Sequence, residues 1–211
     1  GPDVAHRQAQ CIQAPEYISE IVPIEQFLED DYYLGQIGKT VYPLVKKDII
    51  NLFSGDYYEA IFSGSIGWGK NTLSGIILCR ILYEMSCLKN PQDVYGLEKG
   101  SEIALVCLSV TEELAKRAVF GSIKTKIMTS RYFMDFFPYK TTLTELRFPG
   151  NIRIAASSSS MSSALSLNVF GGIIDEVNFM PMTPPRVQKI RYGDRNVGQR
   201  ISHAETLYHM I

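Results

Sequence analysis

Leu73, Ile77, Ile81 and Met85 repeat every four residues, which predicts a helix over 71–87. A second helical stretch, VYPLVKKDIINLF (41–53), carries Pro43 where a first helical position suits it, and places Val45, Ile49, Ile50 and Phe53 on one face. A third, TEELAKRAVFGSIKTKIM (111–128), offers Thr111 as N-cap and acids in its first turn. Other runs have a different character. EIALVCLSV (102–110) is continuously apolar, as in a strand buried on both faces. NIRIAAS (151–157) alternates, while EAIFSG (59–64) and VFGGIIDE (169–176) read as short buried strands. Strands alternating with helices predict an α/β fold with a mostly parallel sheet flanked by helices.

Three regions follow from this pattern. Residues 1–40 are polar and tyrosine-rich and read as a partly ordered N-terminal segment. Residues 41–182 form the core. Residues 183–211 form a basic tail in which Ile201, Ala204, Tyr208 and Ile211 recur at helical spacing. The chain opens on Gly1-Pro2 without Met, as a cleaved tag would leave, and closes inside that helical pattern. It therefore reads as a fragment of a longer protein.

Composition narrows the classes. The chain has 211 residues, 45% hydrophobic and 20% charged, which excludes a disordered or collagen-like protein. No apolar run approaches the roughly 18 residues of a membrane helix. Lys+Arg number 21 against 22 Asp+Glu, a net charge of -1, so a polyanion would have to meet a local patch. Lys116, Arg117, Lys124, Lys126 and Arg131 offer one such patch, and Arg186, Lys189, Arg191, Arg195 and Arg200 another. Each reads equally as a solvated helix face. Cys11, Cys79, Cys87 and Cys107 form no CxxC pair and are expected as buried thiols in a reducing compartment. His6, His203 and His209 are too few for a His-rich metal site.

The candidate chemistry lies between the first expected strand and the helix after it. Gly64, Ser65, Ile66, Gly67, Trp68, Gly69, Lys70, Asn71 and Thr72 match the Walker A pattern, with Gly64-x4-Gly69-Lys70, up to its last position. Glycines let the backbone wrap a phosphate, and the helix N-terminus adds positive potential. Lys70 would reach the β- and γ-phosphates of ATP. Asn71 stands where a Mg²⁺-binding Ser or Thr is usual. Its amide oxygen, or the Thr72 hydroxyl about 100° round the helix, would have to serve, or the metal is held less well. Downstream, Asp175 and Glu176 end a strand in the Walker B arrangement: Asp175 for Mg²⁺, Glu176 to polarise the attacking water. Two adjacent acids cannot share a face of an ideal strand, so Glu176 must sit where the strand turns. Trp68 either shapes the loop or stacks on a partner.

Four stretches together resemble the ATPase domain of large terminase subunits, the DNA-packaging motors of tailed bacteriophages and herpesviruses. They are VYPLVKKDIINLF, SGSIGWGKNT, SVTEELAKRAVFGSIKTKIM and SSSSMSSALSLNVFGGIIDEVNF. The resemblance implies that Lys70 binds phosphate, Asp175 binds Mg²⁺, Glu176 is the catalytic base, and Tyr42 and Pro43 lie near the adenine. It implies double-stranded DNA, a portal and a small terminase subunit as partners, a ring homo-oligomer and no membrane. It places the work in the host cytoplasm, at the procapsid portal. The chain departs from the pattern at Asn71, in having no Arg or Lys between Ser157 and Phe170, and in showing no coupling strand after Pro181. Two other readings stay open. A helicase-type translocase shares the core, although Asn178 replaces the residue usual at its acidic motif. A nucleotide-binding module with impaired hydrolysis would suit Asn71. A transporter ATPase is disfavoured, because Leu73-Ser74-Gly75 lies in the wrong place for its signature.

Overall fold

The computed structural model of the chain describes residues 15–65, 67–158, 167–180, 182–183 and 201–202. Its helices are α1 Ile24–Glu29, α2 Gly35–Gly38, α3 Pro43–Ser54, α4 Lys70–Ser86, α5 Pro91–Val94, α6 Glu112–Leu114, α7 Gly121–Thr129 and α8 Arg131–Asp135. Its strands are β1 Ile103–Ser109, β2 Lys140–Thr141, β3 Glu145–Phe148, β4 Ile152–Ser158, β5 Val169–Ile174, β6 Met182–Thr183 and β7 Ile201–Ser202. The main sheet has the order β2-β3-β4-β1-β5. β1 pairs in parallel with β4 and β5, while β2 and β3 add an antiparallel hairpin outside β4. The α/β class and the mixed, mostly parallel sheet agree with the sequence pattern.

All seven residues of β1 are buried, as its unbroken apolar run requires of a central strand. Ile103, Leu105 and Cys107 face the main core, which also takes Leu73, Ile76, Leu78, Cys79 and Leu82 of α4. Ala104, Val106 and Leu108 face the opposite side, with Met180, Leu167, Val169 and Ile174. Thr111 caps α6 as expected, its hydroxyl accepting the Leu114 N–H at 3.2 Å. The rod that follows is not uniform. Ala115–Phe120 forms a π turn between α6 and α7, with helical backbone on either side, and packs on β1 and β4.

The N-terminal segment contributes Phe27, Leu28 and Leu34 to the main core. Arg80 of α4 ties it down. The guanidinium lies over the rings of Phe27, Tyr83 and Phe53, at 5.3, 5.1 and 5.9 Å, and its Nε donates to Glu84 at 2.7 Å. One cation thus draws α1, α3 and α4 together. Cys79, Cys87 and Cys107 are buried free thiols, as expected. Burial pushes the Cys79 thiol up to about 12. Cys11 lies outside the described residues, as do all three histidines.

Three expectations need correction. Residues 59–64 form no strand: the segment is irregular, and Ile61 is 84% exposed. No described strand lies alongside to share its ladder, and an apolar run does not become a strand on composition alone. The 169–176 run is strand only over Val169–Ile174, and alternates between half-buried and exposed residues over its first four positions. β1 is its only partner among the described strands, so it is an edge there rather than a central strand. Ile201 does not begin a helix, since Ile201–Ser202 pairs antiparallel with Met182–Thr183. The rest of the basic tail, with Arg186 through Arg200, lies outside the described residues, and so does the serine run from Ser159 onward.

Gly172 shows why glycine stands inside β5. A Cβ there would collide with the Val106 carbonyl oxygen and lie 2.7 Å from Val106 Cγ2. Gly172→Ala should cost about 1–3 kcal/mol as β5 is forced off β1. A urea midpoint unchanged from wild type would show that the two strands can separate without loss.

Candidate phosphate-binding site

The loop residues follow their glycines. Gly67 has φ 84° and Gly69 φ 101°, both left-handed and open to glycine without strain. Between them Trp68 turns back, its N–H donating to the Ser65 carbonyl at 3.3 Å. Gly64 lets the indole close over it: a Cβ there would lie 3.3 Å from the ring. Gly69 is the N-cap of α4 without a capping side chain, and Lys70 is its first residue. The first-turn N–H groups of a helix have no intrahelical acceptor. Here these are Lys70, Asn71 and Thr72, and the 17-residue helix adds its dipole behind them. Ile66 lies outside the described residues. Tyr42 is the N-cap of α3 with 68% of its surface exposed, and Pro43 is its first residue.

The acidic pair stands at the carboxyl end of β5. The Asp175 N–H donates to the Leu108 carbonyl at 2.8 Å, extending the β1–β5 ladder by one residue. Glu176 then adopts φ 56°, ψ 40°, and a turn of 3₁₀ helix, Val177–Phe179, leads away. The expected break between the two acids is therefore a left-handed residue. Alternation gives the faces. Cys107 of β1 and Ile173 of β5 face the main core, and α4 packs against β5. Two residues further along each strand, Ser109 and Asp175 fall on that same side, the side of the glycine loop's helix.

Sequence reasoning missed two groups here. Ser109 is fully buried and its hydroxyl has no hydrogen-bond partner among the described residues. It sits at the carboxyl end of a sheet strand, where ligands of α/β folds collect. The second group braces the loop's helix. Ser122 Oγ donates to the Asn71 carbonyl at 3.1 Å and accepts from Lys126 Nζ at 2.6 Å. Gly75 makes room, because a Cβ there would lie 3.0 Å from Lys126 Nζ. Lys126 is 5% exposed, so one cation of the first basic stretch belongs to the interior. Two others are engaged at the surface, Lys116 with Glu112 at 2.7 Å and Lys124 with the Thr142 carbonyl at 3.3 Å. The signal for Lys126 was its place four residues after Ser122 on a helix whose facing neighbour carries a glycine.

The glycine loop, the helix it opens and the acids at the strand end now invite comparison with known families. The model of one family, described as the N-terminal P-loop domain of uncharacterized protein MJ0330, matches residues 11–211. The chain belongs to this family. No curated protein matches it. As a P-loop domain it has an architecture suited to nucleotide binding and hydrolysis, and the family description carries nothing about terminases or DNA packaging. Among the described residues of this P-loop domain no group of three or more His, Cys, Asp or Glu gathers. No described helix is long and apolar enough to cross a membrane.

Burial holds the Lys126 ammonium below the ordinary lysine value of 10.5, with Cys79 opposing. The unfolded chain then keeps this proton to higher pH than the native state. Unfolding takes up a proton across that window, so the Lys126 contribution to stability rises with pH until about 10.5. Lys126→Met should remove the rise. The measurement is the change in urea midpoint from about pH 7 to about pH 10, wild type minus variant. Equal changes would mean that Lys126 is not desolvated.

Proposed function

We propose that this P-loop domain binds ATP with Mg²⁺ and hydrolyses it, and that it serves as the motor ATPase of a terminase-like, double-stranded-DNA translocating machine. The observation that carries the hydrolytic part is the shared face. The left-handed glycines and the open first turn of α4 lie on the side of the sheet to which alternation assigns Asp175. Lys70 and the first-turn N–H groups would hold the β- and γ-phosphates. Asp175 and a ligand from Asn71 or Thr72 would hold Mg²⁺, which supplies charge neutralisation at the phosphates when bound. Glu176, exposed just beyond Asp175, orients a water. Its carboxylate takes the proton as the water oxygen bonds to the γ-phosphorus and the bond to the bridging oxygen breaks, leaving ADP and inorganic phosphate.

The DNA-packaging reading rests on the four sequence stretches that resemble large terminase subunits, and on nothing in the family match. With it go the expectations of a portal, a small terminase subunit and a ring of copies. Turnover by a lone copy should then be slow. An arginine supplied by a neighbour is worth about 10³–10⁵ in rate.

Lys70→Ala should weaken ATP binding about 30-fold, roughly 2 kcal/mol, since charge-assisted phosphate contacts contribute about 1.5–3 kcal/mol. Glu176→Gln should keep the affinity and lose turnover. Calorimetry and a steady-state phosphate-release assay, with and without double-stranded DNA, test both. Equal affinity in Lys70→Ala would sink the site, and full turnover in Glu176→Gln would remove the base. A rate indifferent to DNA would leave an ATPase without the motor.

A further inference from the structure

A cavity of about 450 Å³ opens beside the glycine loop, and Trp68 of the loop forms one of its walls. Asp48 and Asn51 of α3 form another, with Leu52; spacings of three and four residues put them on one helical face. Tyr57, Ile61 and Phe62 line it as well, with Glu59, Ala60 and Ser63, and the Phe62 and Trp68 rings stand 6.4 Å apart at 36°. Tyr57 is 65% exposed and Ile61 lies open beside it. Large apolar side chains gathered round a concavity mark a binding surface more often than an idle one.

We propose that this cavity is the base subsite of the nucleotide and takes a purine, an inference that rests on the phosphate-loop reading above. The occupant follows from position and chemistry. Trp68 lies between the two left-handed glycines, so whatever fills the cavity adjoins the phosphate cradle. A flat two-ring base matches walls of indole, phenol and phenyl, which stack on any aromatic face. Its edge meets a carboxylate that only accepts, Asp48, and an amide that donates and accepts, Asn51. An exocyclic amine or ring N–H of a purine satisfies the first, and a ring nitrogen or carbonyl the second. Tyr42 is not among the lining residues, so the base contact implied for it moves to Trp68, Tyr57 and the Asp48–Asn51 face.

Trp68 is the only tryptophan of the chain, which makes its fluorescence a reporter of this wall. The chain is titrated with Mg²⁺-ATP and, separately, with Mg²⁺-tripolyphosphate, which offers the loop the same phosphates without a base. ATP is expected to bind at least about 10-fold more tightly and to quench Trp68 more strongly, as one base stacked on aromatic rings would give. The double variant Tyr57→Ala, Asn51→Ala changes two exposed side chains and should bring ATP down to the affinity of tripolyphosphate, whose own binding stays as in wild type. Equal affinities in the wild type, or a preference for ATP that survives in the variant, overturn the base subsite while the phosphate loop stands. A protein partner on this face would give that second pattern. Failure of both ligands to bind overturns the phosphate-loop reading and this one with it.

Discussion

The hydrogen-bonded register of β1 with its two neighbours is the constraint on which the site depends. β1 pairs over seven residues with β4 and over five with β5, and it is buried on both faces. Its ladder decides which residues end up level at the carboxyl edge. The Asp175 N–H on the Leu108 carbonyl extends that ladder on the β5 side, and Ser109 follows Leu108. A slip of one residue would turn Asp175 to the other face of the sheet. Gly172 protects the register, because a side chain there would meet the Val106 backbone. The sheet thus sets the acid, while the glycine loop sets the proposed phosphate site.

The loop itself is held from below. α4 is packed by core residues along most of its length, and its two ends are braced differently. Toward its start, Ser122 donates to the Asn71 carbonyl and is itself held by Lys126, which passes beside Gly75. Further along, Arg80 lies over three aromatic rings contributed by α1, α3 and α4 itself. The first contact links the loop's helix to the rod that carries the π turn, and the second links it to the N-terminal segment. Movement of α4 would have to disturb one brace or the other.

Much of this was legible in the sequence where one force dominated. The apolar run 103–109, the proline that begins α3, the Thr111 cap and the glycine spacing of the loop each express a local rule, and each is present. The failures lie where the partner decides. Residues 59–64 have the apolar content of a strand, but join no strand ladder among the described residues. Val169–Ile174 has the same content and pairs on one side only among the described strands. The β2–β3 hairpin was missed because its strands are only two and four residues long, so the alternation that buries Leu146 and Phe148 is too short to stand out. Lys126 reads in sequence as one more surface cation, since its burial is a property of the facing helix.

Glu176 carries a consequence beyond its chemistry. Its left-handed backbone is one that glycine or asparagine adopts with little cost, and that a glutamate holds against roughly 1–2 kcal/mol of steric resistance. On its proposed role as the base, folding and function pull on this position in opposite directions. Selection for thermal endurance alone would drift toward glycine at 176 and discard the carboxylate. A lineage that keeps an acid there is keeping it against its own stability. Among relatives of this chain, the residue found at this one position would separate those still selected to split a nucleotide from those that only hold one.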